Sequence, residues 1–206
     1  MKRFLEHYTG EVFDLIIVGG GITGAAVAYD AASRGLSVAL VEKDDYGWAT
    51  SAATSKLIHG GLRYLQNLEF GLVRESLRER RIMGNIAPNL VYPIEFLVPG
   101  YDDMKRSKWI LRAGLTVYDI LSYDRGMTWD KSKRLPLHRL LSREQAIELE
   151  PIICYENLAG AILYYDCASI NPERLTLAFV KSAARYGADA ANYARVEDFV
   201  RSGQRI

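Results

Sequence analysis

An α/β fold containing a parallel sheet follows from three observations near the start of the chain. A short apolar run at 14–18 ends in three consecutive glycines, Gly19, Gly20 and Gly21. An Ala-rich stretch at 22–34 follows directly, and a second apolar run at 37–41 ends on Glu42. Apolar runs of this length without alternation read as strands buried on both faces, as in a parallel sheet. The Ala-rich stretch between them favours helix, and Gly35 supplies the left-handed residue that closes it. Strand, glycine turn, helix, strand and acid within about thirty residues make one βαβ unit of the Rossmann-like, dinucleotide-binding kind.

The remaining elements follow in order. Residues 44–61 form a loop rich in Gly, Ala, Ser and Thr, and a loop this long without its own periodicity is usually functional. Helical spacing runs through 62–86, where the charged run 74–81 reads as a solvated face. Pro88, Pro93 and Pro99 divide the next stretch into short extended pieces, with a strand at 94–98. A second helical region at 105–121 mixes Lys105, Arg106, Lys108 and Arg112 with apolar residues. It suits either a membrane surface or packing on a core. A short helix at 140–149 has Ser142 as N-cap, with Glu144 and Gln145 in its first turn. A strand is expected at 161–165. Asn171 and Pro172 open a helix that stops at Gly187. A strand at 190–196 and a polar turn at 202–204 follow, so that Ile206 falls inside a hairpin.

Composition narrows the function classes. The chain has 206 residues, 49% of them hydrophobic, enough for one or two packed domains. Lys plus Arg number 26 against 25 Asp plus Glu, a net charge of +1, which gives no general attraction to nucleic acid. Cys154 and Cys167 form no CxxC pair and have no adjacent His pair, so no metal is expected, and both read as buried free thiols. The first ten residues lack the apolar core of a secretory signal, and no apolar run reaches the roughly 18 residues of a membrane span. The expected location is the cytoplasm, with or without attachment to the inner face of the cell membrane.

The glycine turn carries the first candidate site. Gly19 permits the tight turn, Gly21 lets backbone approach a pyrophosphate, and Gly24 lets the helix pack closely. Ile22 and Thr23 open the helix, whose N-terminus favours negative charge. Glu42, followed by Lys43, is placed to accept hydrogen bonds from ribose hydroxyls, which disfavours a 2′-phosphate and hence NADP. The turn alone leaves NAD and FAD as alternatives. The hydroxyl-rich loop 50–65, TSAATSKLIHGGLRYL, suits the ribityl chain and phosphates of a flavin, and Gly60 and Gly61 allow backbone to approach a flat ring.

The strings GGGITGAAVAYDAASRGLSVALVEKDD (19–45), TSAATSKLIHGGLRYL, EFGLVRESLRERR (69–81), IAPNLVYPIEFLVP (86–99) and YYDCASINPERLTLAFVKSAARYGA (164–188) resemble the aerobic FAD-dependent glycerol-3-phosphate dehydrogenases. These belong to the wider flavoprotein class typified by D-amino-acid oxidase. SKLIHGGLRYL is the specific part. The resemblance implies oxidation of sn-glycerol 3-phosphate to dihydroxyacetone phosphate, with FAD as cofactor and electrons passed to quinone. An oxygen-using glycerol-3-phosphate oxidase and an inactive FAD-binding fragment stay open beside it, as does a homodimer.

Carried over by position, the resemblance places Gly19, Gly21, Ile22, Thr23 and Gly24 at the pyrophosphate and Glu42 at the adenosine ribose. Thr50, Ser51, Ser55, Lys56, Leu57 and Ile58 line the rest of FAD. Val196 would offer its backbone to adenine. Arg63 and Tyr64 match substrate-facing positions, where a phosphate needs a fixed bidentate donor, although a plain salt bridge would also suit Arg63. His59 reads as a neutral imidazole bonded to loop or cofactor in preference to a flavin-side base or a covalent attachment point. His7 and His138 read as surface residues. Thr23 stands where the family often has Asn, Thr54 replaces a Ser, and 167–173 departs from the usual residues. Family members are more than twice as long, so the chain is expected to be truncated, with further arginines and the basic catalytic residue downstream. The expected division is a first FAD-binding segment at 10–65, part of an inserted α+β substrate domain at 66–165, and a second, incomplete FAD-binding segment at 166–206.

Overall fold

The computed structural model describes residues 12–101 and 105–201, with side chains described from 109 onward in the second stretch. His7, the segment 1–10, the expected turn at 202–204 and the hairpin at Ile206 lie outside the described residues. So do the side chains of Lys105, Arg106 and Lys108. In chain order the elements are β1 (Leu15–Val18), α1 (Ile22–Ser33), β2 (Val38–Val41), β3 (Leu57–Ile58), a 3₁₀ turn (Leu62–Asn67) and α2 (Phe70–Ile86). Then come β4 (Tyr92–Tyr101), α3 (Lys105–Leu121), a second 3₁₀ turn (Lys131–Lys133), β5 (Arg139–Leu141) and α4 (Arg143–Leu149). β6 (Leu158–Ala168), α5 (Pro172–Arg185) and β7 (Asp189–Ala191) are the last elements among the described residues.

The described residues fall into two units, 12–55 with 171–201 and 56–170. The boundaries differ from the expected 65/66 and 165/166 because Leu57 and Ile58 pair with Ala168 and Cys167 of β6, which ties them to the second unit.

The first unit is a parallel sheet in the order β1-β2-β7, with α1 and α5 packed on it. The Ala-rich sequence of α1 has a packing purpose: Ala25, Ala28, Ala31 and Ala32 are buried, and small side chains let α1 close on Val180 and Ala183 of α5. Tyr29 meets Phe179 and Tyr186 edge-to-face, with centroids 5.7 and 5.8 Å apart. Gly35 and Gly187 take the left-handed conformation that ends their helices, at φ 87° and 96°.

Three expectations are corrected in this unit. Leu15 and Ile17 of β1 face the core, but Ile16 and Val18 are 53% and 55% exposed, so β1 is not buried on both faces. Asn171 precedes α5, but its side chain accepts no capping hydrogen bond from the helix. The last strand is only Asp189–Ala191, and Val196 lies in irregular chain beyond it.

The second unit is antiparallel. β6 runs along the whole of β4 and also pairs with β3 and β5. β4 is longer than the expected 94–98 and passes straight through Pro93 and Pro99. Among the described residues only β6 pairs with it, so the prolines, which lack an N–H, sit on an edge strand where that loss is tolerated. The expected helix at 62–86 is broken at Leu68, whose φ of 60° is left-handed; a 3₁₀ turn precedes the break and α2 follows it. Leu140 belongs to β5 rather than to the following helix, while Ser142 and Gln145 form a reciprocal capping box on α4.

Candidate functional site

In the first unit, a cleft of about 640 Å³ is bordered by the glycine turn, Glu42, Lys43, Thr50 and Ser51. Gly19 adopts φ 109°, which L side chains rarely adopt, and the space where its Cβ would point is open. A Cβ on Gly24 would stand 2.0 Å from the Gly19 carbonyl oxygen, so α1 reaches its place against the turn only with glycine there. A Cβ on Gly21 would lie 3.3 Å from Ser51 Oγ. Gly20, which the glycine pattern left without a task, is equally constrained: its Cβ would meet Tyr46 at 2.6 Å and Glu42 at 2.9 Å.

Side chains fix this turn from outside. Ser51 Oγ accepts the N–H of Ile22, the first residue of α1, at 2.9 Å. Glu42 Oε2 accepts the Gly20 N–H at 2.6 Å and Oε1 the Asp44 N–H at 2.8 Å. Each carboxylate oxygen keeps further acceptor capacity. The helix has no acidic residue in its first turn and its N-cap is Gly21, so its positive end faces the cleft without a carboxylate from its own sequence. Lys43 sits 3.7 Å from Asp44. Neither Ser55 nor Val196 lines this cleft.

In the second unit, a cavity of about 740 Å³ is bordered by Leu57, His59, Arg63, Tyr64 and a stacked pair, Phe96 and Tyr164. The two rings lie 5.0 Å apart at 17°. Arg63 enters no salt bridge among the described residues. Ile58, by contrast, turns into the core around Val91 and Cys167. Thr50, Ser51 and Ser55 therefore belong to one unit, and Lys56, Leu57, Ile58 and His59 to the other.

Beneath the cavity lies a polar cluster that sequence reasoning missed. Arg80 and Asp166 are each 3% exposed at the side chain and form an ion pair. Tyr118 donates its hydroxyl to Asp166 Oδ2 at 2.8 Å, and Arg80 also reaches Ser122 Oγ at 3.0 Å. The Gly60 N–H donates to Tyr118 Oη at 2.9 Å and to Asp166 Oδ1 at 3.2 Å. Burial, and then the Asp166 charge, push the Tyr118 phenol above its ordinary value. The run 74–81 is a solvated face only in part: Glu75, Arg78 and Glu79 are exposed, but Arg80 is buried, and Arg74 and Arg81 both pair with Asp124.

Two further expectations are corrected. His138 is half-buried, its Nδ1 2.7 Å from Asp119 Oδ2. Cys154 is exposed rather than buried. Cys167 is buried, and that burial pushes its thiol up to about 11. No metal-binding group of His, Cys, Asp or Glu occurs among the described residues.

Replacing Asp166 with Asn leaves the Arg80 charge buried without its counter-ion, at a cost of about 3–5 kcal/mol. Urea unfolding should show a lower midpoint, with the free energy of unfolding reduced by that amount. An unchanged midpoint would mean that the pair does not form.

Comparison with known proteins gives this geometry its lineage. The chain is 45% identical over 197 residues to the glycerol-3-phosphate dehydrogenase of Synechocystis sp., covering 96% of this chain and 34% of that protein. It is 40% identical over 205 residues to that of Mycobacterium leprae, covering 98% and 33%. The chain thus spans about a third of the length of the curated relatives it matches. Among solved structures, the Bacillus halodurans glycerol-3-phosphate dehydrogenase complexed with FAD superposes with a TM-score of 0.66 at 29% identity, covering 95% of this chain and 29% of that one. The family model for FAD dependent oxidoreductases matches residues 14–206. Since that match takes in nearly all of a 206-residue chain, the protein belongs to the FAD dependent oxidoreductase family.

Proposed function

We propose that the chain is part of an enzyme that oxidises sn-glycerol 3-phosphate to dihydroxyacetone phosphate with FAD as cofactor. The observation that carries the substrate is Arg63. It stands on the second unit's cavity beside Tyr64 with no acid partner among the described residues. A guanidinium presented in this way is the natural receptor for a phosphate. The names of the Synechocystis and Mycobacterium relatives support the same substrate.

The first unit suits the cofactor. The open space before Gly19 and the N-terminus of α1, which has no acid in its own first turn, fit a pyrophosphate, and Glu42 fits a ribose. Gly19, Gly21, Ile22, Thr23 and Gly24 would hold that pyrophosphate, with Thr50 and Ser51 on the same cleft serving the adjoining part of FAD. Bound FAD supplies the two-electron acceptor. Arg63 and Tyr64 hold the phosphate end of the substrate, and the stacked Phe96 and Tyr164 give the cavity an apolar wall.

Quinone is the acceptor we favour over oxygen, because α3 leaves Trp109 and Ile110 each 65% exposed, a surface suited to a lipid interface. No helix among the described residues is long and apolar enough to cross a membrane.

Two measurements check this reading. Arg63→Ala in the FAD-loaded protein should weaken glycerol 3-phosphate roughly 10- to 100-fold in KM, the loss of a hydrogen bond to a charged group. An unmoved KM removes the substrate assignment. In liposome flotation the wild type should rise with the vesicles and a Trp109→Ser, Ile110→Ser double variant should stay below. A wild type that stays below contradicts the membrane assignment.

A further inference from the structure

Gly60 is a backbone position held by a buried cluster drawn from three elements. A Cβ there would stand 2.2 Å from Leu77 Cδ2 and 2.5 Å from Tyr118 Oη, so the chain touches the cluster directly. Its N–H is shared between the Tyr118 hydroxyl and the Asp166 carboxylate. Arg80 locks that carboxylate in turn. The next residue, Gly61, turns back at φ 72° and donates its N–H to His59 Nδ1 at 3.0 Å. A ring nitrogen that accepts an N–H carries no proton, so the imidazole proton must be on Nε2. Ring geometry turns Nε2 away from the bond to Gly61, and His59 borders the cavity that holds Arg63 and Tyr64.

We propose that Arg80, Asp166 and Tyr118 are positioning residues which, by gripping the Gly60 N–H, fix His59 as an Nε2–H hydrogen-bond donor for an oxygen atom of the ligand in this cavity. The idea rests on reading the cavity as the substrate side. It gives His59 a role other than proton acceptor, since in this tautomer Nε2 has no lone pair to take a proton. The acceptor is an oxygen of a phosphate, hydroxyl or carbonyl group, the chemistry shared by a phosphorylated polyol and its ketone.

Long-range ¹H–¹⁵N correlation of the histidine side chains reads the tautomer directly in the 206-residue chain. The chain has three histidines. His138 serves as the internal contrast, because its Nδ1 must carry a proton to donate to Asp119 Oδ2. In the wild type His59 should show a bare Nδ1 and a protonated Nε2, and the Gly60 amide should exchange more slowly than neighbouring loop amides. In Tyr118→Phe the two His59 nitrogen shifts should converge as the tautomers mix, with Gly60 protection lost. Val73→Ala lowers packing in the core that also holds Tyr118 while removing none of the polar groups, and should leave both readouts as in the wild type. A wild-type His59 with a protonated Nδ1 overturns the donor assignment, and this spectrum decides even if a variant fails to fold. A folded Tyr118→Phe with wild-type tautomer and protection overturns the positioning role. Neither readout needs cofactor or substrate, so its failure leaves the Arg63 test standing, and the reverse holds too.

Discussion

A charge moved into a protein interior costs several kcal/mol unless an opposite charge and hydrogen bonds meet it there. In the second unit that demand is met at Asp166. Its two oxygens take the Arg80 guanidinium, the Tyr118 hydroxyl and the Gly60 N–H. Those partners come from α2, α3 and the loop after β3, while Asp166 itself lies on the long strand β6. The pair therefore does more than neutralise charge. It holds two helices to the sheet and sets the backbone from which His59, Arg63 and Tyr64 reach the cavity.

The first unit depends on a different constraint, the exclusion of side-chain volume. Gly24 packs on the Gly19 carbonyl, and Gly20 packs on Tyr46 and Glu42, at distances no Cβ tolerates. The alanines of α1 carry the same logic into the seam with α5. Polar groups then hold what the small residues allow: Ser51 fastens the start of α1, and Glu42 fastens Gly20. One arrangement of glycines and hydroxyls thus both builds the turn and leaves its N–H-rich end facing a cleft.

Legibility in the sequence followed the range of the interactions. The βαβ unit was readable because its signals are local: apolar runs, a glycine turn, and Gly35 closing the helix. The capping box at Ser142 and Gln145 was readable for the same reason. Arg80 was not, because its partner lies 86 residues away and nothing near it distinguishes it from Arg74 or Arg78. Only the pairing of α2 with β6 shows which arginine turns inward. Leu68 carries no sequence mark of its left-handed φ, so the break before α2 could not be anticipated. Pro93 and Pro99 misled in the other direction, since proline ends a strand only where its N–H is needed, and on the open edge of β4 it is not. Among candidate site residues, the glycine turn, Glu42, Thr50 and Ser51 gather on one cleft, and Leu57, His59, Arg63 and Tyr64 on one cavity. Val196, argued only from its place after a strand, gathers with neither group.

The proposed reaction pairs one cofactor with one substrate. Anaerobic addition of glycerol 3-phosphate to the FAD-loaded protein tests it most directly, with flavin absorbance as the signal. The oxidised flavin band should bleach, with dihydroxyacetone phosphate formed in equal amount. A protein that retains FAD while its band stays unbleached by glycerol 3-phosphate would contradict the assignment.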